Sequence, residues 1–367
     1  MKVNFLDLKS QYLSIKPEID AAIQSVLDKT AFAAGPFVKE FEENFAKAQG
    51  AKFCVGVNSG TAALHIAFMA LDIKYGDEII VPANTFFATP ESVSLTGATP
   101  VFVDNEEQFY NIDPLKIESA ITPKTKAIVA VNLYGQPAQL DTIKAIADKH
   151  NLFLIEDCAQ SHLATYKGKS TGTYGIMGCF SFYPGKNLGA YGEGGAVITD
   201  DELLYKKMMA LRDHGSSKKY FHDYIGHNYR LEGIQGAILN VKLKHLSSWT
   251  ETRRKNAACY KQYLSGIKEV MLPEEIDGAY SVYHLFVVRV PRRDALIQFL
   301  QDNGIYTGIH YPIPCHQQKA YAFLGYKEGS FPVSEKYANE IISLPMSEQV
   351  TEEEIQYVCQ MIGEFYR

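Results

Sequence analysis

Between residues 53 and 200 the chain alternates short apolar runs with longer amphipathic segments. The apolar runs are continuous, which is typical of strands buried on both faces of a sheet. Seven of them predict strands: "FCVGV", "DEIIVPA", "TPVFVD", "TKAIVAVNLYG", "LFLIED", "GCFSF" and "GGAVITD". The segments "SGTAALHIAFMALDI" and "LDTIKAIADKH" have helical spacing. The pattern predicts an α/β fold whose mixed, mostly parallel sheet is covered by helices on both faces.

From about residue 231 the pattern becomes longer and more helical. The segment "LEGIQGAILNVKLKHLSSWTETRRKNAACYKQYL" predicts a long helix or a helix pair, and "YHLFVVRV" predicts a strand. The helix "PRRDALIQFLQDNG" should begin at a proline and end at a glycine, and Thr351 should cap the last helix. We expect a large domain over residues 1–245, which includes an N-terminal helical segment, and a small α+β domain over residues 246–367.

Composition narrows the class of protein. The 367 residues carry a net charge of −6, which argues against nucleic acid or an anionic membrane as the main partner. No apolar stretch reaches the length of a membrane span, and the N-terminus has no apolar signal core. The six cysteines form no C-x-x-C pair, so we expect neither a disulfide framework nor a bound metal. These features predict a cytoplasmic protein.

The segment "VGVNSGTAAL" joins a predicted strand to a predicted helix. The free N–H groups at a helix start can bind a phosphate, and Gly60 would allow its close approach. The alternative is an ordinary capped helix, in which Ser59 or Thr61 bonds only its own backbone.

The segment "LFLIEDCAQSH" ends a buried strand with two acids. Ligands of open α/β sheets collect at the carboxyl ends of the strands, where a buried carboxylate needs a partner. Asp157 could pair with a protonated pyridine nitrogen, while strand alternation turns Glu156 to the other face. Gln160 could donate to a cofactor oxygen. The alternatives are an Asp157 that caps a turn and a Gln160 that is a polar loop residue.

A single lysine lies in the glycine-rich stretch "SFYPGKNLGAYGEGG". Pro184 and Gly185 break the preceding strand, so Ser181 and Lys186 lie where the chain leaves it. Lys186 could form an imine with an aldehyde cofactor, although an isolated lysine on a loop is more often solvated. The hypothesis that Lys186 forms an imine is favoured because a candidate phosphate site and a candidate acid for a pyridinium precede it in the sequence.

Nine segments together resemble one family. They are "FAAGPFVKEFE", "NSGTAALHIA", "GDEIIVPANTFFAT", "GATPVFVD", "YGQPA", "IEDCAQSH", "SFYPGKNLGAYGEGGAV", "GHNYRLEGIQGAIL" and "SLPM". Over essentially its whole length the chain resembles the sugar aminotransferases of the DegT/DnrJ/EryC1/StrS family. The resemblance implies the aspartate-aminotransferase fold, which is fold type I of pyridoxal-phosphate enzymes.

The resemblance also implies the cofactor pyridoxal 5′-phosphate and its ligands. Lys186 matches the family lysine that bonds the cofactor, Asp157 the acid at the pyridinium, and Gln160 the residue near the ring hydroxyl. The phosphate ligands match Gly60, Thr61 and Ser181, the stacking aromatic matches Phe86 with Phe87 as the second choice, and Asn228 matches an asparagine that reaches the neighbouring subunit's phosphate. That last match implies a homodimer with shared active sites.

One position departs from the family pattern. Two acids commonly follow "YRL" in the family, whereas here Gly233 follows Glu232. We interpret this as a local change of packing. Some relatives carry histidine at the lysine position and catalyse dehydration, but here Lys186 is present.

By resemblance the amino donor is L-glutamate and the acceptor is a nucleotide-linked keto-sugar. Three segments resemble the 3-aminotransferases, which favours a dTDP-linked 3-keto-6-deoxyhexose: "SFYPGKNLGAYGEGG", "YHLFVVRVPRRD" and "GIHYPIPCHQQKAY". Candidates for its pocket are Tyr183, His310 and Tyr311, although a core tyrosine and a structural loop histidine are equally good interpretations.

Other assignments stay open. His162, His214 and His284 receive no function. The rival functions are a 4-aminotransferase of a nucleotide sugar and a catalytically silent regulatory relative. A nicotinamide-dependent enzyme would need a G-x-G-x-x-G after the first strand, which is missing.

Overall fold

The structure, a computed structural model, describes residues 1–367. The helices are α1 Leu8–Ser14, α2 Lys16–Lys29, α3 Pro36–Gln49, α4 Gly60–Ala70, α5 Ala88–Leu95, α6 Pro114–Ile117, α7 Leu140–Lys149, α8 Glu202–Leu211, α9 Gly233–Leu264, α10 Arg293–Asp302, α11 Pro332–Glu340 and α12 Glu352–Tyr366. The strands are β1 Phe53–Val57, β2 Glu78–Pro82, β3 Thr99–Val103, β4 Thr125–Val131, β5 Phe153–Asp157, β6 Thr165–Tyr166, β7 Lys169–Ser170, β8 Met177–Ser181, β9 Gly195–Thr199, β10 Ser216–Lys218, β11 Phe221–His222, β12 Ala279–Tyr280, β13 Phe286–Arg289 and β14 Ile341–Leu344.

The seven predicted strands form one central sheet in the order β1-β9-β8-β5-β4-β2-β3. The pairs from β8 through β5, β4 and β2 to β3 are parallel, and β9 runs antiparallel to both of its neighbours. This arrangement confirms the prediction of a mixed, mostly parallel sheet.

Burial on both faces explains why the strands are continuously apolar. Ile79 and Val129 belong to the core that contains α4, whereas Ile80 and Ile128 belong to the core that contains α7. All four side chains are fully buried. Since neighbouring residues of a strand point to opposite faces, each face of the sheet has its own apolar core.

A second part of the molecule is built around the antiparallel pair β13–β14. Its core of 21 buried residues comes from the end of α9, from α10, β13, β14 and α12, and from Val3 near the N-terminus. Helix α9 is one continuous helix of 32 residues. The predicted division between residues 245 and 246 falls inside this helix and stays a prediction.

The starts of two helices were predicted from the sequence, and one of the two predictions is confirmed. Thr351 caps α12 in a full capping box with Glu354, as predicted. Helix α10 does not begin at Pro291 but after Arg292, which adopts a left-handed φ of 54°. None of the twelve helices is long and apolar enough to cross a membrane.

Candidate active site

A cavity of about 620 Å³ opens at the carboxyl ends of β5 and β8, beside the start of α4. This is the edge at which parallel α/β sheets collect ligands. It brings together ten of the predicted site residues: Gly60, Thr61, Phe86, Asp157, Gln160, Ser181, Tyr183, Lys186, His310 and Tyr311. Asn228 lies outside the cavity lining, on an exposed segment beside Asn58, whose Nδ2 donates to the Asn228 carbonyl (3.4 Å).

Lys186 supplies the one amine in the lining. It follows the end of β8, and its backbone N–H donates to the Tyr183 carbonyl (2.8 Å) in a tight turn. Burial lowers the pKa of Lys186 to about 8, while the charge of Asp157 acts in the opposite direction. An amine with this pKa is partly neutral near pH 7, so it is able to act as a nucleophile and as a base.

Asp157, the last residue of β5, is a buried carboxylate. Its Oδ2 accepts from Thr89 Oγ1 (2.7 Å) and its Oδ1 from the Ala159 N–H (3.1 Å). Burial raises the pKa of Asp157, and these hydrogen bonds and the Lys186 charge only partly counter the shift. A cation against this carboxylate would lower its pKa again, which is the role a protonated ring nitrogen would fill.

Thr89 is a site residue that the sequence analysis missed. It lies in the first turn of α5, and its hydroxyl also contacts Thr85 Oγ1 at 2.9 Å. Its two contacts orient the Asp157 carboxylate. The available signal was the spacing "TFFAT", which places two threonines one helical turn apart.

Glu156 points away from the cavity, as strand alternation predicts. Its carboxylate accepts from the backbone N–H groups of Gly172 (2.7 Å), Tyr174 (2.7 Å) and Gly175 (3.0 Å). It therefore organises the loop before β8 and takes no part in the cavity.

The start of α4 lines the cavity at the position where the sequence predicts a phosphate site. Ser59 caps this helix by accepting from the Ala62 N–H (3.0 Å), so the alternative of an ordinary cap is also realised. A Cβ on Gly60 would lie only 2.6 Å from the Ser181 Cβ. The absence of that atom lets the helix start approach the end of β8, where first-turn N–H groups and the Ser181 hydroxyl meet.

Aromatic side chains close the cavity. Phe86 lines it with 54% of its surface exposed, whereas Phe87 packs against Tyr321 with ring centroids 5.4 Å apart. The exposed ring of Phe86 is therefore the one free to cover a flat ligand, and it lies 5.4 Å from the Tyr311 ring.

Polar contacts orient the remaining predicted residues. Gln160 accepts from the Tyr134 N–H (2.6 Å) and donates to Tyr311 Oη (3.2 Å). His310 Nδ1 lies 2.8 Å from Ser343 Oγ, and burial with the Lys186 charge lowers the His310 pKa to about 4. Tyr183 is half exposed at the cavity mouth.

The structure adds lining residues from distant parts of the chain. They are Phe5 and Leu6 near the N-terminus, His284 before β13, and Met346 after β14. His284 had been left without a function, and its place in the cavity corrects that omission. Only the folded chain brings these residues together.

Gly233, the departure from the family pattern, has a packing explanation. A Cβ at this position would lie 1.9 Å from the Ala31 carbonyl oxygen, and the Gly233 N–H donates to the Phe32 carbonyl (2.8 Å). The loop between α2 and α3 therefore lies directly against the start of α9.

Comparison with known proteins gives a consistent result. The family model described as the DegT/DnrJ/EryC1/StrS aminotransferase family matches residues 13–363. A Geobacillus stearothermophilus protein named pleiotropic regulatory protein is 47% identical over 100% of this chain and 99% of its own. The dTDP-3-amino-3,6-dideoxy-alpha-D-galactopyranose transaminase of Aneurinibacillus thermoaerophilus is 45% identical over 99% of both chains.

Solved structures agree with these sequence matches. The structure of S. venezuelae DesV superposes with a TM-score of 0.98 at 43% identity, covering 100% of this chain and 99% of that one. Other related structures hold PMP, the aminated form of pyridoxal phosphate. Some relatives are named for UDP-linked sugars.

The fold and the cavity define a pyridoxal-phosphate-dependent aminotransferase of fold type I. The residues fit this cofactor, because a helix start without side-chain obstruction, a buried carboxylate, an amine of lowered pKa and an exposed aromatic ring line the same cavity. The chain belongs to the DegT/DnrJ/EryC1/StrS aminotransferase family.

Proposed function

We propose that this enzyme transfers the amino group of L-glutamate to the C3 keto group of a dTDP-linked 3-keto-6-deoxyhexose. The product would be a dTDP-3-amino-3,6-dideoxyhexose. The observation that carries the proposal is the single cavity shared by Lys186, Asp157 and the start of α4. We place the enzyme in the cytoplasm, whose reducing conditions suit six free cysteines.

Each cavity residue has a separate task in this proposal. Bound pyridoxal phosphate supplies an electron sink for negative charge on the reacting carbon. The Lys186 amine moves the proton to and from that carbon. Asp157 holds the proton on the ring nitrogen, and Thr89 keeps its carboxylate in position. Phosphate would be bound by Gly60, Thr61 and Ser181, the ring hydroxyl would be contacted by Gln160, and the ring face would be covered by Phe86.

The choice of acceptor rests on relatives and on the cavity mouth. The A. thermoaerophilus relative carries the name of a dTDP-3-amino-sugar transaminase. Tyr183, His310 and Tyr311 line the cavity and offer two phenols and an imidazole to a sugar or diphosphate. Relatives named for UDP-linked sugars support a second candidate nucleotide at the same site.

A homodimer is part of the proposal, with Asn228 of each subunit reaching the phosphate of the other. Asn228 is exposed and absent from the lining of its own cavity. The preceding segment exposes large apolar side chains, with Tyr220 81%, Phe221 62% and Ile225 93% exposed. An exposed apolar patch of this kind supports burial against a second copy.

A regulatory function is the second candidate, since one relative is named as a regulatory protein. Lys186 and Asp157 are both present, which favours catalysis over a silent protein.

The first experiment separates these functions. We expect the purified protein to show an absorbance band near ~410–430 nm from lysine-bound cofactor, which L-glutamate shifts to shorter wavelength. The Lys186→Ala variant should fold normally but lose the band and slow turnover by more than about a thousandfold. Lys144→Ala, which changes an exposed lysine paired with Asp148, is the matched control.

A panel of dTDP-, UDP- and GDP-linked keto-sugars, with product analysis by NMR, then identifies the nucleotide and separates C3 from C4 amination. A protein that stays colourless with added pyridoxal phosphate would contradict the enzymatic proposal and favour the regulatory one.

A further inference from the structure

His284 is a buried imidazole inside the cavity that the proposed reaction does not use. It lies between β12 and β13, lines the cavity and is only 9% exposed. It follows Lys186 by 98 positions in the sequence, so its place beside the lysine turn is a result of the tertiary fold.

Hydrogen bonds determine which ring nitrogen of His284 carries the proton. Asn187 Nδ2 donates to the Val282 carbonyl (3.0 Å), which leaves Asn187 Oδ1 as the acceptor facing His284 Nδ1 at 3.1 Å. Because that oxygen cannot donate, Nδ1 must hold the proton. Burial, together with the charges of Lys186 and Arg253, lowers the pKa of His284 well below its usual value, so the ring is neutral.

The remaining nitrogen, Nε2, is thus a lone-pair acceptor. Nε2 makes no hydrogen bond within the chain, and it is not among the fully buried atoms that lack a partner. Since His284 lines the cavity, Nε2 is accessible to a ligand there. A neutral acceptor of this kind recognises a hydroxyl or amine donor and gains nothing from a carbonyl or a C–H group.

The imidazole is held rigidly. The Val282 N–H donates to the Gly135 carbonyl (2.9 Å), and the Leu285 N–H donates to the Tyr134 carbonyl (3.3 Å). Gly135 has a φ of +97°, and a Cβ there would lie 2.8 Å from the backbone nitrogen of His284. Backbone bonds on both sides therefore place the ring before any ligand binds, which favours specificity.

We propose that His284 Nε2 accepts a hydrogen bond from a ring hydroxyl next to the keto carbon of the acceptor sugar, which makes His284 a specificity-determining residue. The inference rests on the proposed function. Its basis is that Asn187, which holds the imidazole, directly follows the lysine that acts at the reacting carbon. We therefore assign the donor to a hydroxyl that flanks this carbon.

The test uses the reverse half-reaction, because amino sugars are stable. dTDP-3-amino-3,6-dideoxyhexose and its 2-deoxy and 4-deoxy analogues are mixed with the cofactor-loaded enzyme, and the loss of the ~410–430 nm band is followed. The wild type, His284→Phe and His284→Gln are compared. Each sugar rate is divided by the rate of the same variant with L-glutamate, so that a general loss of cofactor reactivity cancels.

We expect the wild type to favour the fully hydroxylated sugar over one deoxy analogue by roughly tenfold. The two analogues distinguish the C2 hydroxyl from the C4 hydroxyl. His284→Phe should lose this preference, and His284→Gln should keep part of it because an amide oxygen can replace the acceptor. Asn187→Ala removes the hydrogen-bond partner of His284 Nδ1 and should therefore reduce the preference as well. If His284→Phe does not fold, Asn187→Ala is the variant compared with the wild type.

Three results would overturn the inference but not the proposed function. The wild type could react equally fast with the sugar and both deoxy analogues, or His284→Phe could keep the wild-type preference. His284→Phe could also lose only its rate with L-glutamate. In the last case Nε2 serves Lys186 and not the sugar. If glutamate reacts but no nucleotide amino sugar does, the acceptor in the proposed function is wrong and the inference fails with it.

Discussion

Two adjacent carboxylates, Glu156 and Asp157, have opposite tasks because a strand turns neighbouring side chains to opposite faces. Glu156 accepts three backbone N–H groups, while Asp157 faces the cavity with Thr89. We expect Asp157→Asn to fold with near-normal stability but to bind pyridoxal phosphate at least about tenfold more weakly and to be nearly inactive. Cofactor titration by absorbance and glutamate kinetics measure this.

Glu156→Gln is the matched control and should show the reverse pattern. Its stability should fall by roughly 2 kcal/mol in urea unfolding, because one amide oxygen cannot replace two carboxylate oxygens toward four donors, the three backbone N–H groups and Asn132 Nδ2. Its cofactor band should persist. Equal effects of both substitutions on cofactor binding would contradict this division of tasks.

The lowered pKa of Lys186 predicts that the rate of cofactor binding depends on pH. Its folded-state pKa is about 8, below the usual 10.5, so the neutral, nucleophilic amine forms as pH rises through 8. Capture of pyridoxal phosphate by the cofactor-free enzyme should therefore speed up about tenfold between pH 7 and pH 9 and then level off. Stopped-flow absorbance measures the rate. A rate that keeps rising toward pH 10.5 would mean that the cavity does not lower the pKa of this amine.

Sequence alone was enough to bring into the candidate site those residues that lie at the end of a strand or the start of a helix. Asp157, Ser181 and Gly60 are of this kind. The spacing "TFFAT" marked Thr89 only locally, and neither the Thr89–Asp157 contact nor the place of His284 was predictable, because these contacts join residues 68 and 97 positions apart. Such pairs depend on how elements pack, which no local pattern encodes.

At the scale of elements, the strands were predictable because two-sided burial leaves a continuous apolar run in the sequence. Whether the segment after residue 231 forms one helix or two was left open, since its interior polar positions suit either. The structure has one helix, α9, and loops that pack against it accept hydrogen bonds from some of its buried polar side chains. Lys242, for example, donates to the Gly189 carbonyl (2.7 Å).

The start of α9 makes Gly233 a stability-determining position. Any side chain there meets the Ala31 carbonyl oxygen at 1.9 Å, so Gly233→Ala must displace the loop between α2 and α3. We expect a loss of about 2–3 kcal/mol in unfolding free energy, measured in urea. Gly266→Ala is the control, because its Cβ would enter open space. A loss of unfolding free energy below about 0.5 kcal/mol in Gly233→Ala would show that the loop between α2 and α3 moves aside at little cost.

At the scale of the whole molecule, the cavity belongs to neither part alone. Asp157 ends β5 of the central sheet and Lys186 follows β8, whereas Met346 belongs to the core around β13 and β14 and His310 contacts Ser343 of β14. The N-terminal Phe5 closes it, with its ring 5.7 Å from the His310 ring. Residue types at the sheet edge therefore suggested the chemistry, while the substrate-facing wall depended on the assembly of both parts.

The shared active site of the proposed dimer can be tested by mixing inactive subunits. Lys186→Ala damages the site of its own subunit, and Asn228→Ala should damage the site of its neighbour. After random reassociation half of the dimers are mixed, and each mixed dimer holds one intact site, so activity should return to about a quarter of the wild-type value at limiting cofactor.

Lys186→Ala mixed with Asp157→Asn is the control, because both changes damage the site of their own subunit. That mixture should show no more activity than the two variants alone, since no mixed dimer then has an intact site. Light scattering checks that the mixed species are dimers. If the Asn228→Ala mixture shows only the average activity of its parents, Asn228 does not act across the interface, and its exposed position must have another cause.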